Sequence, residues 1–359
     1  MDRGPGVLSA AARKALAGQL SSRAREVAAA ATVRFLAAHP DWVARYGERA
    51  QTAGEADAVF HVEALAAALH MDAPASFAGY GHWAARTLST HGIATAALQE
   101  FLLLLADELC APLDPAAGEL VHAYTQAGVD AARERAAATD PLPDVAAAFR
   151  AAILSGQRDA ASAMLRTSRE QGAGAPFLAD RVVYEALRSI GDMWQDGLIT
   201  VAQEHLATAV AQYAWVAAGI PVRGAPGCGT ALIAGVEGER HQLGAMLVGD
   251  VLAEAGWNAH FLGTDLPRRD VDRMARELAP RVVAISATLA RNLPAVESLV
   301  STLRGSLPPG ASVLVGGRAF LGLDNPASAV GADLHFQGAR DLAAWLHAAG
   351  TAPTITAGT

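Results

Sequence analysis

The chain has 359 residues, of which 52% are hydrophobic and 18% charged, and a net charge of −8. Its size admits two or three domains with real cores, and the acidic balance, with no basic stripe, speaks against direct contact with nucleic acid. Cys110 and Cys228 are the only cysteines, too few for a disulfide framework, and the longest apolar run stops at Asp107 and Glu108, short of a membrane span.

Residues 1–140 read as helix throughout. Helical stretches are expected over Ser9–Ala38, Glu55–His70, Ala75–Ser89, Ala94–Cys110 and Ala116–Ala138, broken at Pro40, Pro74, Gly92 and Pro112. Such a run gives an all-α domain, globin-like or a bundle. Two prolines in three positions, Pro141 and Pro143, mark a linker. A second helical region follows in residues 141–222, with helices over Asp144–Leu154, Arg158–Glu170, Ala175–Asp196 and Thr200–Ala218. Four helices with short connections make a four-helix bundle.

The texture changes in residues 223–350. Strands are expected at Thr230–Val236, Asn258–Leu262, Arg281–Ser286, Ala311–Val315 and Leu334–Phe336. Helices Leu243–Glu254, Arg268–Leu278, Leu293–Leu303 and Ala339–Ala348 alternate with them. The pattern is that of an α/β Rossmann-like, flavodoxin-like domain, a doubly wound parallel sheet whose ligands sit at the carboxyl ends of the strands. Residues 351–359 read as a small, polar, frayed tail. The chain as a whole is multidomain and is expected to be cytoplasmic, with no signal segment at its start.

The loop after the first strand carries Glu239, His241 and Gly244 in the spacing Glu-x-His-x-x-Gly. A neutral imidazole at the carboxyl end of a strand is a good ligand for a borderline transition metal. A carboxylate two residues earlier can take the other ring N–H and orient it. This segment resembles the Asp-x-His-x-x-Gly signature of base-off, His-on cobalamin proteins, with Glu239 where most of that family has Asp. The longer side chain alters the reach between the pair. Further along, Gly244, Val248, Leu252 and Gly256, then Leu262 to Pro267, resemble the helix and second strand of the same domain. The resemblance makes His241 the lower axial cobalt ligand and places Arg240 beside it. It puts Ser286 and Thr288 in the slot for the dimethylbenzimidazole tail, where Thr288 can equally close a turn. Gly316 and Gly317 would admit the nucleotide tail.

In the bundle, Trp194 is followed after nine residues by Glu204 and His205. That spacing resembles the Trp-x9-Glu-His element of the cobalamin photoreceptors related to the light-responsive CarH repressors. The resemblance implies that an indole flanks an adenosyl group on the upper face of the corrin, with Glu204 and His205 bonded to its ribose or base. The plain alternative is a core tryptophan and a charged helix start. Gln195 stands beside Trp194 where those repressors have a second cobalt-capturing histidine, leaving His205 as the substitute.

The N-terminal string through Phe60, His61, Tyr80, His82, Trp83, Arg86 and His91 resembles the globin-like domain fused to B12 modules in the photocobilins, which bind biliverdin beside the cobalamin. His61, Tyr80, His82, Trp83 and Arg86 are the types a bilin needs: rings to stack, polar groups for pyrrole nitrogens and an arginine for propionates. Cys110 can attach a bilin or sit buried and inert. The expected function is therefore a light sensor holding adenosylcobalamin and biliverdin. It has no recognised output enzyme and no direct nucleic-acid contact, and it reads out through light-dependent self-association or a partner protein. The competing function is a corrinoid methyl carrier of a methyltransferase system. A flavodoxin-like domain without corrin is the third.

Overall fold

The computed structural model describes residues 8–134, 142–220 and 227–348. The chain divides into two compact units, residues 1–137 with 321–324, and residues 138–320 with 325–359.

The first unit is all helix: α1 (Ala10–Ser22), α2 (Ala24–Ala38), α3 (Pro40–Tyr46), α4 (Arg49–Met71), α5 (Pro74–Ser89), α6 (Thr95–Cys110) and α7 (Pro115–Ala131). Ser9 caps α1 and Asp114 caps α7, each taking an N–H of the first turn, and prolines open α3, α5 and α7 where no N–H is needed. The uninterrupted helix expected over Ser9–Ala38 is broken at Arg23, whose guanidinium donates to the carbonyls of Leu109 and Glu108 at the end of α6. That long-range bond has no sequence signature. Alanine and glycine let the helices approach closely. A Cβ on Gly81 of α5 would lie 2.3 Å from the Gly128 carbonyl oxygen of α7. Leu20, Phe35, Leu69, Phe77 and Leu109 fill the core.

The second unit opens with α8 (Asp144–Leu154) and α9 (Arg158–Glu170). A long third helix follows, made of α10 (Ala175–Phe177), a π-helical stretch (Leu178–Tyr184) and α11 (Glu185–Gln195), and then α12 (Val201–Ala217). After it come β1 (Thr230–Gly235), α13 (Leu243–Glu254), β2 (Asn258–Phe261), α14 (Arg268–Leu278), β3 (Val282–Ser286), α15 (Leu293–Arg304), β4 (Ser312–Gly316), α16 (Pro326–Ala329), β5 (Leu334–Phe336) and α17 (Ala339–Ala348). All strand pairs are parallel, in the order β2-β1-β3-β4-β5. The direction of winding reverses between β1 and β3, and a crevice opens there at the carboxyl edge.

Bundle and sheet share one core. Phe149, Leu165, Ile190 and Trp215 of the bundle are continuous with Ile233, Leu247 and Leu252 of the sheet layer. Polar bonds at three carboxylates fix their relative placement. The Ala175 N–H donates to Glu254 at 2.8 Å, and Arg169 pairs with the same carboxylate. Asp180 accepts the N–H groups of Ala339 and Arg340, both at 2.8 Å, capping α17. The buried Trp215 indole donates to Asp250 at 2.7 Å.

These bonds give the bundle a direction. Glu254 ends α13, at the amino edge of the sheet, whereas Ala339 begins α17 just after β5, at the carboxyl edge. The third bundle helix therefore climbs from the amino to the carboxyl edge between Ala175 and Asp180. At 1.5 Å per residue, Trp194 lies about 20 Å beyond Asp180, and α12 then descends to Trp215. The turn between α11 and α12 therefore lies beyond the carboxyl edge of the sheet. Among the described residues, no helix is long and apolar enough to cross a membrane.

Candidate functional site

The loop after β1 is organised by one buried carboxylate. Glu239 is 0% exposed and receives four hydrogen bonds. One oxygen takes the His241 backbone N–H at 2.9 Å and the His241 ring Nδ1–H at 2.6 Å. The other takes the Thr288 N–H at 2.6 Å and the Asn292 amide at 3.1 Å. Burial alone would raise this carboxyl pKa. The bonds from His241 and Thr288 outweigh it and hold the pKa down at about 2, below its ordinary 4.5. Glu239 thus reaches the imidazole despite its extra methylene, and it crosses the switch point to bind the loop after β3. Because the carboxylate only accepts, the His241 proton sits on Nδ1 and the Nε2 lone pair is left over. The His241 side chain is 55% exposed. Its imidazole is thus held in one orientation by the carboxylate beside it.

Sequence reasoning missed two residues that hold this loop. Asn292, only 6% exposed, bonds Glu239 from the short turn before α15. Asp265 sits at φ 58° and accepts the Gly238 N–H at 2.8 Å. Neither belongs to a local pattern, because each acts across 27 or 53 residues of chain.

The glycines separate into two kinds. A Cβ on Gly317, at φ 107°, would lie 2.2 Å from the Ala287 carbonyl oxygen, and one on Gly316 would lie 2.9 Å from that of Phe336. Backbone packing alone demands both, so their identity carries no separate word about a nucleotide tail. Gly244 is the opposite case. It is exposed, has no positive φ, and a Cβ there would meet nothing within 4 Å. The packing within the protein gives no reason for glycine at this helix start. Ser286 and Thr288 are half-buried at the end of β3, the Thr288 N–H is engaged by Glu239, and Arg240 is exposed beside His241.

On the turn between α11 and α12, Trp194 is half-buried and Gln195 is buried, 7% exposed, so these neighbours face different surroundings. Glu204 pairs with the His205 Nδ1 at 2.5 Å and accepts from the Thr208 hydroxyl at 3.0 Å. Leu198 is 70% exposed and Val201 50%, apolar side chains left open at the lip.

The five residues expected to hold a bilin do not converge. On α5 the Tyr80 ring lies against Trp83 at 5.8 Å between centroids. His82 and Arg86 line an open polar groove of about 410 Å³ with Gln99 and Arg133. His61 lines a separate apolar cavity of about 60 Å³ with Phe35, Trp42 and Phe101. His61 is buried and bonded through Nδ1 to the Tyr80 hydroxyl at 2.7 Å, and burial lowers its pKa to about 4, so it is neutral at physiological pH. The Cys110 thiol donates to the Gly118 carbonyl, and burial, with Asp107 nearby, raises its pKa to about 11. It is the inert cysteine of the two readings.

Among the described residues, no group of three or more His, Cys, Asp or Glu side chains is placed to hold a bare metal ion. A corrin needs only one such residue, since its ring supplies four equatorial nitrogens. The described geometry includes one oriented imidazole, at His241, and an open helix start at Gly244. Residues 229–327 match the B12 binding domain family, and residues 145–215 match a second B12 binding domain model.

The chain binds a corrinoid, and both halves of the second unit take part in the match. The chain is 31% identical over 143 residues to the HTH-type transcriptional repressor CarH of Myxococcus xanthus, covering 39% of this chain and 46% of the repressor. It is 30% identical over 110 residues to the dimethylamine corrinoid protein of Methanosarcina barkeri, covering 30% of this chain and 51% of that protein. The chain thus spans about half the length of the curated relatives it matches. The monomethylamine corrinoid protein of Methanosarcina barkeri superposes with a TM-score of 0.48 at 19% identity, over 56% of this chain and 96% of that one. Neither B12-binding model covers the N-terminal unit, whose globin-like assignment rests on the sequence resemblance alone. A relative named as a repressor leaves the expectation of no nucleic-acid contact without support.

Proposed function

We propose that this chain is a light sensor that holds adenosylcobalamin between the bundle and the sheet, with His241 Nε2 beneath the cobalt and Trp194, Glu204 and His205 above it. The observation that carries the reading is the Glu239–His241 pair, whose buried carboxylate fixes the imidazole at the carboxyl edge of the sheet. When bound, adenosylcobalamin supplies a cobalt–carbon bond that light breaks. The chain's own residues do the rest. Glu239 orients the imidazole, the indole fills space beside the adenosyl group, and the pins at Asp180, Glu254 and Asp250 transmit displacement at the turn between α11 and α12 to the bundle surface. Ser286, Thr288, Gly316 and Gly317 line the tail slot in this reading. The readout is self-association or a partner protein, and CarH-type relatives favour it.

The methyl-carrier reading draws on the similarity to dimethylamine corrinoid proteins. The bundle-and-sheet architecture is common to that class, but a methyl carrier must bare its upper face to a transferase, which the bulky Trp194 opposes. In the sensor reading, the polar groove at His82 and Arg86 is where a linear tetrapyrrole docks its propionates.

One experiment separates these. The protein is loaded in the dark with adenosylcobalamin or methylcobalamin, with and without biliverdin, and its spectrum and elution volume are read before and after green light. The sensor reading expects preferential retention of the adenosyl form, a spectral change on illumination and a shift in oligomeric state. Equal retention of both corrins with no change of state would favour the methyl carrier. Biliverdin should add a far-red band that Arg86→Ala weakens. His241→Ala should abolish corrin retention, and unchanged uptake in that variant would end the corrin-site proposal.

A further inference from the structure

The N-terminal unit holds a cavity of about 60 Å³ where α2, α3, α4 and α6 meet. Phe35, Leu36, Trp42, Leu98 and Phe101 make most of its wall, with the Phe35 ring edge-on to Trp42 and Phe101 at 4.9 and 5.4 Å between centroids. Protein interiors pack as densely as organic crystals, and voids larger than a water molecule are few. This one is not wholly apolar. Thr32 of α2 stands in the wall at 2% exposure, and its hydroxyl has no hydrogen-bond partner. A threonine inside a helix can return its hydroxyl to the carbonyl four residues back. Thr125 of α7, just as buried, does so with Val121 at 2.9 Å, and Thr87 of α5 does so with Trp83 at 3.0 Å. Thr32 makes no such bond. A buried hydroxyl without a partner is costly, and the cavity beside it is where a partner would stand.

The other polar groups limit what that partner is. His61 is neutral and bonded to the Tyr80 hydroxyl, so it offers an anion no countercharge. Among the described residues of the lining Asp57 alone is charged, and it repels anions. A cation would give up its water for a wall of mostly aromatic and aliphatic carbon. The volume equals about two waters at roughly 30 Å³ each, or one organic molecule of about four non-hydrogen atoms.

We propose that this cavity is a binding site for a small uncharged molecule, an alcohol or carbonyl compound of about four non-hydrogen atoms. Its apolar body lies among Phe35, Trp42 and Phe101, and its oxygen bonds the Thr32 hydroxyl. The site belongs to the N-terminal unit and does not rest on the corrin reading. An occupant touches four helices at once, so binding stabilises their packing.

The test labels the full chain with 5-fluorotryptophan and titrates it with 2-propanol, acetone or acetate. These probes match in size and differ in hydrogen bonding and charge. Of the six tryptophans only Trp42 lines the cavity, so the others serve as internal controls in the fluorine spectrum. The Trp42 resonance, assigned through Trp42→Phe, should shift saturably with 2-propanol and acetone and stay still with acetate at neutral pH. Thr32→Val removes the unpaired hydroxyl at nearly constant shape. It should melt at or above the wild-type temperature without ligand, yet bind 2-propanol about 5-fold more weakly for want of one hydrogen bond. Ala97→Leu grows into the cavity and should abolish the shift. If Trp42 moves no more than the other tryptophans, the cavity holds only water and the proposal fails. If acetate shifts it equally, or Thr32→Val binds 2-propanol as wild type does, the assigned chemistry is wrong.

Discussion

Glu239→Gln is expected to leave a folded chain that holds its corrin about 10- to 100-fold more weakly, the usual cost of losing a group that orients a metal-bound histidine. The amide is nearly isosteric with the carboxylate, so the loss comes from protons rather than shape. Four donors converge on Glu239, two on each oxygen. Glutamine must turn an NH2 toward one pair. Facing His241, it forces the ring proton from Nδ1 to Nε2 and removes the lone pair that would meet cobalt. Facing Thr288 and Asn292, it sets donor against donor and pushes the loop after β3 away. Either way the imidazole loses its presentation. Retention of adenosylcobalamin through gel filtration, compared with wild type, checks the result. Unchanged retention would show that the tautomer does not matter.

The same carboxylate sets an acid limit on the apo protein. Its folded pKa of about 2 lies below the ordinary 4.5, so its contribution to stability is complete above pH 4.5 and is lost as pH falls toward 2. The shift corresponds to about 3 kcal/mol. Denaturant unfolding of the apo chain between pH 6 and 2 should show this loss in wild type and a flatter profile in Glu239→Gln.

The second unit was legible because its signals are local. Helix Arg268–Leu278 and strand Leu334–Phe336 have the observed ends, since turn residues and a clear change of hydrophobic period bound them. The Glu-x-His-x-x-Gly spacing is local in the same way, and Glu239 and His241 do meet in the loop it marks. What escaped was long-range. Arg23 ends a helix through carbonyls on α6, and Asn292 supports Glu239 across the switch point. The π-helical stretch that carries Asp180 to α17 reads in sequence as ordinary helix. In the N-terminal unit the residue types were suggestive, but α5 sends them to different faces, and His61 is satisfied by Tyr80 rather than left for a ligand. Type without spacing is weak evidence of a site.

Gly244 offers the sharpest separation of fold from function. Gly244→Leu should fold at least as well as wild type, because the added side chain meets open space and leucine favours helix over glycine by up to about 1 kcal/mol. An apo melting temperature that holds or rises checks this half. Yet a corrin lying against the start of α13 must occupy the space the leucine takes, so retention should fall at least as far as in Glu239→Gln. The contrast with Gly317 makes the argument specific. Gly317→Leu would drive a Cβ into the Ala287 carbonyl at 2.2 Å and should lower stability before any ligand is added. If Gly244→Leu melts early, its glycine serves the fold after all. If it melts normally and still holds corrin like wild type, the macrocycle does not rest there. Only a stable chain with an emptied site agrees with a corrin seated on His241 against this helix.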